Sequence, residues 1–228
     1  SAGVVGVKNS WAEMNVKVYP SINASYRFGD AWKVYASYNT SLRMPSVTEL
    51  FYSVGGHKAD PNLKPEELSA VEVGVKYNKK GLSGTVSSFY NHHTNLIDWI
   101  DDGEKDAAGA ILWKSVNFGT INALGFETTL NADFRQLLPS QKLLKSFSVG
   151  YCFIQQHQIE AAGIHSLYAL EYLKNKVTSS LQLNLWKALD LNVNYRFQHR
   201  MGTYKDPSGA LHRYGSYGLL DARLAWNM

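Results

Sequence analysis

Residues 189–200 read LDLNVNYRFQHR, and no other stretch narrows the possible folds of this chain as much. Leu189, Leu191, Val193, Tyr195 and Phe197 are apolar, while Asp190, Asn192, Asn194 and Arg196 between them are polar. A period of two describes an extended strand, because successive side chains point to opposite faces. Such a strand has one greasy face and one wet face. In a soluble sheet the greasy face meets a protein core; in an outer-membrane barrel it meets lipid.

The alternation recurs along the chain. Over 15–28, Val16, Val18, Pro20, Ile22, Ala24, Tyr26 and Phe28 alternate with polar residues. Over 71–78, Val71, Val73, Val75 and Tyr77 alternate with Glu72, Gly74, Lys76 and Asn78. Over 124–134, Leu124, Phe126, Leu130 and Phe134 face away from Gly125, Glu127, Thr129, Asn131 and Asp133. Shorter versions occupy 32–39, 82–92, 145–155, 177–186 and 217–226. With a fragment at 2–8, the rule gives about ten strands. In 161–176, Ile164, Leu167, Leu170 and Leu173 recur at spacing three, which reads as a helical turn within a loop at 158–170. Residues 65–72 carry a similar ambiguity.

Lengths separate the two readings. The run 15–28 would span about 46 Å at roughly 3.3 Å per residue, whereas globular strands usually reach about 17–20 Å. Loop length itself alternates. Short turns fall at Gly29–Asp30, at 78–81 and at Lys187–Ala188, and long excursions at 40–67, 98–110, 158–170 and 201–216. Short turns on one side and long loops on the other is the outer-membrane arrangement, with 135–144 fitting it least well. The apolar phase also tends to end in aromatics, among them Tyr26, Phe28, Tyr38, Tyr77, Tyr90, Tyr195, Phe197 and Trp226, as interface girdles do. A soluble sandwich remains the rival, since it places aromatics mid-strand as readily.

Composition excludes several classes. Charged residues make up 18% of the 228, and aromatics 13%, a balance that suits strands. A net charge of +4 without a block of Lys and Arg gives no support to a nucleic-acid partner. No run approaches the roughly 18 apolar residues of a transmembrane helix, which leaves barrel strands untouched. The single cysteine, Cys152, excludes an internal disulfide. The chain begins Ser1-Ala2-Gly3, which reads as a mature form or a piece of something longer.

The segment 34–77 resembles the TonB-dependent outer-membrane receptors. The likeness lies in an aromatic strand ending near Tyr38, then Arg43-Met44-Pro45-Ser46 and Glu49-Leu50-Phe51. It continues through Asp60-Pro61-Asn62-Leu63-Lys64-Pro65-Glu66 and a strand carrying Glu72 and Gly74. The stretch VNFGTINALGFETTL at 116–130, with Gly125 and Glu127, and LLDARLAW at 219–226 resemble other strands of that family. The resemblance implies an all-β fold, an antiparallel transmembrane β-barrel segment with about ten strands of an expected 22-stranded barrel. It also implies that 1–228 is a partial barrel domain from the carboxy-terminal half, lacking the plug domain and the last strands. Within the family, NYRFQHRMGTY at 194–204 looks most like the vitamin B12 (cobalamin) receptor branch.

Its implied role is ligand-gated, energy-coupled import of a scarce bulky nutrient across the outer membrane of a Gram-negative bacterium. Cobalamin leads, with a siderophore or haem as the alternative. The partners would be the lipid bilayer, the plug, the TonB-linked inner-membrane complex and the ligand. A passive porin or structural barrel is the rival of another class.

No nucleophile elbow, metalloprotease helix or phosphate loop is present, so an enzyme is not expected, and no cofactor is implied. His92 and His93 are adjacent on a strand and point to opposite faces, so an ordinary strand-end position is favoured over metal chelation. Cys152 shares its phase with Ser148 and Gly150, which predicts inert packing on the lumen side. Asp101, Asp102, Glu104 and Asp106 offer oxygen ligands without the spacing of a calcium loop, and a solvated hairpin is the favoured reading. Strand phase places Trp99 and Trp113 on the lumen side of that hairpin, where they could stack on a large ligand or pack against neighbouring loops. With Phe51, Tyr52 and His57 they make up the candidate ligand contacts, on loops expected to leave from one rim when 111–134 is read as one long strand.

Overall fold

The structure, a computed structural model, describes residues 18–158, 165–166, 172–206 and 208–226. Nine long strands form one antiparallel sheet: β1 (Ser21–Phe28), β2 (Trp32–Arg43), β3 (Glu66–Lys79), β4 (Leu82–Thr94), β5 (Ile121–Asp133), β6 (Leu144–Gln158), β7 (Leu173–Trp186), β8 (Leu189–Arg200) and β9 (Ser216–Trp226). Sheet order follows chain order, so the sheet is an up-and-down meander. Among the described residues it does not close, and β1 and β9 each have one neighbour.

Register converts the period of two into two continuous surfaces. One lateral row crosses all nine strands as Tyr26, Val34, Val75, Val86, Thr128, Tyr151, Val177, Phe197 and Gly218. The adjoining row of the other phase reads Ser25, Tyr35, Gly74, Ser87, Glu127, Cys152, Lys176, Gln198 and Tyr217. The rows are slanted. Val34 stands two residues from the start of β2, while its row-mate Phe197 stands eight from the start of β8. A stagger of this kind is the shear that a tilted, curving barrel wall requires.

Burial is inverted relative to a soluble sandwich. Much of the apolar phase is open, with Val71, Val73, Val86, Tyr90, Leu124, Tyr195, Leu220 and Leu224 exposed and Leu189, Leu191, Val193 and Phe197 half-buried. The polar phase carries most of the wall's side-chain bonds. Tyr35 Oη donates to Glu72 at 2.7 Å, Lys145 Nζ meets Asp190 at 2.6 Å, Ser180 Oγ donates to Asn192 at 3.2 Å, and Tyr217 donates to Gln198. An apolar face left outside over nine strands is stable only where the solvent is itself apolar. The greasy row of residues 189–197 therefore faces lipid, and the sheet is a segment of a transmembrane barrel wall.

Two aromatics of the polar phase lie across neighbouring glycines. The Tyr35 ring covers Gly74 and the Phe89 ring covers Gly125, so closely that a Cβ on Gly125 would stand 2.0 Å from the ring. A ring laid on a strand glycine restores the packing that the missing side chain forfeits.

Strand ends differ from the alternation rule in three places. The run 15–28 gives a strand only from Ser21, because Pro20 lacks the N–H that a ladder needs and instead lends its carbonyl to Thr40 N at 3.1 Å. The stretch 111–134, expected as one long strand, divides into Trp113–Asn117 and β5. Phe118 N turns to Leu96 O, and Gly119 takes a φ of 100° that ends the first piece. The helical spacing of 161–176 fails at its carboxy-terminal end, where Leu173–Lys176 already belong to β7, and 65–72 is strand from Glu66. The fragment at 2–8, residues 15–17, and most of the loop turn expected within 158–170 lie outside the described residues.

The long excursions 44–65, 95–120, 159–172 and 201–215 each follow an even-numbered strand and precede an odd-numbered one, so all leave from one rim. The opposite rim holds the short connections. Lys80 and Gly81 (φ 43° and 77°) make a two-residue hairpin turn. At 134–143 the longer link contains a one-turn helix, Phe134–Leu137, capped by the Asp133 side chain on Arg135 N.

Candidate ligand-binding rim

Three of the four excursions join in a second sheet above the barrel wall. Its strands run, in spatial order, His165–Ser166, Ile97–Asp101, Trp113–Asn117 and His57–Lys58, the last pair parallel. Asn117 ties the excursions together. Its amide donates to Lys64 O at 2.9 Å and Asn95 O at 2.8 Å, and its Oδ1 accepts from Lys64 N at 2.8 Å. Leu63, Ile97, Trp99, Ile100 and Phe118 are buried here, along with Asp98 and Ser115. Most of the buried residues of the described chain thus lie in this cap and where it meets β5, with Ser87 and Ala132 the buried side chains of the wall itself.

The cap is moored by Arg43 at the end of β2. Its guanidinium bonds Glu66 at 2.6 and 2.8 Å and both carboxylate oxygens of Glu49 at 3.1 Å or slightly longer. Glu66 Oε1 also accepts from Ile97 N at 2.7 Å. Glu49 is the third residue of helix α1 (Val47–Phe51), whose Ser46 and Glu49 form a reciprocal capping box. One arginine therefore holds the start of the first excursion, its end and the edge of the second.

Burial raises the Glu49 carboxyl, but the bonds from Arg43 and Ser46 outweigh it and hold the group below the usual carboxylate range. A depressed folded-state pKa stabilises above the unfolded value and is lost as pH falls through the folded one. Hydrogen exchange at 46–51 should therefore stay slow at pH 5 and accelerate only below the ordinary glutamate range. Acceleration already at pH 5–6 would contradict the clamp.

Of the five candidate contacts, three form a chain of rings. Tyr52 and His57 meet edge-on at 5.8 Å between centroids, and His57 meets Trp99 at 5.2 Å. Register puts Trp113 on the same face, paired with His57 across the parallel strands and two residues from Ser115, the partner of Trp99. Exposure sorts them. Trp99 is 9% exposed, Tyr52 46% and Phe51, at the end of α1, 68%, with Trp113 between these limits. Sequence reasoning assigned no role to Arg43, Glu66 or Asn117. The spacing Ser46-x-x-Glu49 signals the capping box, but nothing local signals Asn117.

The remaining groups are engaged elsewhere. Asp102 and Glu104 both bind Lys114 Nζ, the former at 2.7 Å. Asp101 and Asp106 accept from backbone amides of their own turns. The Lys114 bond holds the Asp102 carboxyl below its ordinary value. His92 Nδ1 lies 2.7 Å from Asn122 Oδ1, and Cys152 Sγ donates to Glu127 at 3.4 Å. Among the described residues no group of three or more His, Cys, Asp or Glu is placed to hold a metal ion.

Residues 3–228 match a family model described as TonB dependent receptor-like, beta-barrel. A mutant of the ferric enterobactin receptor PfeA from Pseudomonas aeruginosa, in complex with enterobactin, superposes with a TM-score of 0.66 at 19% identity, over 92% of this chain and 33% of that one. The FrpB iron transporter from Neisseria meningitidis gives 0.60 at 16%, over 92% and 32%. The copper transporter OprC gives 0.67 at 14%, over 92% and 31%. These likenesses establish the fold. The chain spans about a third of the length of each of those structures.

Proposed function

The chain belongs to the TonB-dependent receptor β-barrel family, and on that premise we propose that it is part of an outer-membrane importer for a metal chelate of the siderophore kind. The family match over 3–228 carries the reading. The names of the similar structures (ferric enterobactin receptor, iron transporter, copper transporter) support a metal-bearing ligand, and none of the three names cobalamin. The siderophore alternative is therefore preferred to cobalamin.

In this reading the wall encloses a plug domain against its polar face and faces a Gram-negative outer membrane with its apolar one. The rim with the long excursions is extracellular. The ligand settles among Phe51, Tyr52, His57 and Trp113, with Trp99 beneath His57, and a TonB-linked inner-membrane complex supplies the energy that moves the plug. No covalent chemistry is required of these residues, which bind, enclose and release.

The test uses the whole receptor that contains this chain, expressed in a strain lacking its own iron receptors. Uptake of radioiron should be measured with a panel of ferric catecholates and hydroxamates, with and without TonB. Accumulation of at least one chelate that disappears without TonB is expected. Uptake indifferent to TonB would instead identify a passive pore, and TonB-dependent uptake of cobalamin alone would restore that ligand.

A further inference from the structure

The rim of short connections carries an apolar and basic ledge of its own, centred on the link 134–143. The one-turn helix at the start of this link lies against the turn between β3 and β4. A Cβ on Gly81 would stand 2.8 Å from Gln136 Cβ and 2.9 Å from Asp133 O, and Asp133 N donates to Gly81 O at 2.7 Å. At the other end of the link, Leu143 O accepts from Asn184 N at 2.7 Å, which joins it to the last residues of β7. The turn at 80–81, the link and the turn at 187–188 therefore form one continuous ledge.

Its surface is unlike that of ordinary polar turns. Leu137, Leu138 and Leu143 are 36%, 52% and 53% exposed, and Trp186 is 73% exposed. These residues border the lipid-facing phase, in which Leu144 pairs with Leu183, Leu183 with Leu191, and Trp186 with Leu189. The link joins β5 to β6, well inside the sheet, so a strand added beside β1 or β9 would not reach it. The charges of the ledge are mostly of one sign. Over 78–82, 133–145 and 184–190 stand Lys79, Lys80, Arg135, Lys142, Lys145 and Lys187 against Asp133 and Asp190. Arg135 bonds Asp133 at 3.1 Å and Lys145 bonds Asp190 at 2.6 Å. Lys79, Lys80, Lys142 and Lys187 remain, all exposed, and no carboxylate among the described residues bonds any of them. On the opposite rim, from 95 to 120, Asp98, Asp101, Asp102, Glu104 and Asp106 outweigh Lys105 and Lys114.

We propose that this ledge docks on anionic phospholipid headgroups in the leaflet that the short-connection rim meets. Leu137, Leu138 and Leu143 enter the boundary between headgroups and acyl chains, and the four lysines meet the phosphates. Exposed leucines beside unpaired cations fit a surface that is greasy and negatively charged within a few ångströms of depth. A lysine stem lies along apolar surface while its ammonium reaches the headgroup layer. Zwitterionic headgroups carry no net charge and leave the cations uncompensated, and water leaves the leucines bare. Docking here fixes the depth of this side of the wall in the bilayer. The inference needs only a wall that spans a membrane and is independent of what the receptor imports.

The experiment places the intact receptor that contains this chain in nanodiscs of phosphatidylglycerol and phosphatidylcholine in equal parts. Native mass spectrometry then counts the lipids that stay bound, among which phosphatidylglycerol should predominate. Lys79→Gln, Lys80→Gln, Lys142→Gln and Lys187→Gln together should lower the ratio by about fivefold or more, since one lysine at an anionic surface is worth about that factor. Lys58→Gln, Lys64→Gln, Lys105→Gln and Arg213→Gln, on the opposite rim, should leave it near the wild-type value. Heat modifiability confirms that each barrel is folded. Hydrogen exchange across 134–143 should be slower in discs of phosphatidylglycerol than in discs of phosphatidylcholine, and Leu137→Asn with Leu138→Asn should accelerate it in both. An unchanged lipid ratio in the first quadruple variant overturns the proposal. An equal drop in the second overturns it too, because net charge alone would then hold the lipid. Exchange that is equally fast in both discs would show that lipid does not cover the leucines, and sinks it as well. None of these results depends on TonB-dependent uptake, which the chelate panel reads separately.

Discussion

Val193→Arg in the receptor that contains this chain is expected to cost about 2–4 kcal/mol of membrane assembly, while Asn192→Arg, one residue away, costs little. Val193 lies midway along the apolar phase of β8, between Leu189 near the turn and Phe197 near the rim. Its cross-strand partners are Leu181 and Ala222, both of the same phase. An arginine there has no polar partner on either side and is too far from both ends of the strand to reach water easily. Asn192 points the other way, paired in register with Gln182 and Arg223, and accepts one bond from Ser180. Losing that bond is worth about 1 kcal/mol. The amount of heat-modifiable barrel in washed outer membranes reads the difference. Equal yields from the two variants would mean that the apolar phase does not meet lipid.

The barrel wall was legible because its strands obey a local rule. Alternation depends only on neighbours in sequence, and a strand wet on one face and lipid-bathed on the other cannot hide it. Strand ends were less legible, since they depend on single residues such as Pro20 and Gly119. The split of 111–134 shows the limit most clearly. Residues 113–117 pair with 97–101 and 57–58, not with the wall. A rim strand that runs on into a wall strand with only residues 118–120 between them looks like one long strand in sequence. The rim was legible in outline, as four excursions on one side, because up-and-down order dictates it.

The cap was not legible, because its bonds join residues far apart in the chain. Asn117 reaches Lys64 across 53 positions and Arg43 reaches Glu66 across 23. The residues themselves stood out: Arg43, Glu49 and Glu66 all lie in the block that resembles the receptor family. What the sequence withheld was their convergence on one guanidinium. It likewise could not rank the five aromatic and histidine candidates, since exposure at 51, 52, 57, 99 and 113 follows from how the excursions pack.

Trp99→Ala is therefore expected to act on the cap before it acts on any ligand. The indole is nearly buried between the two central strands' neighbours, with the His57 ring edge-on against it and Ser115, itself 1% exposed, opposite in register. Truncating a buried tryptophan costs about 3–5 kcal/mol, part transfer and part cavity. That loss falls on a sheet bonded to the wall through Glu66, with Asn117 tying its excursions to one another, so the cap should open locally while β1–β9 keep their pairing. Hydrogen exchange should accelerate at 57–58, 97–101 and 113–117 and stay slow in β3, β4 and β8, with surface abundance near that of the wild type. Ligand affinity should fall with it, because His57 loses the ring that fixes it and Tyr52 loses His57. Trp113→Ala separates the two effects. Its ring is only partly buried, so exchange in the cap should change less, and a drop in affinity there without accelerated exchange would mark direct contact with ligand. Unchanged exchange in Trp99→Ala would show that the cap is held by its backbone pairing and the Arg43 clamp alone, leaving the indole free for another role.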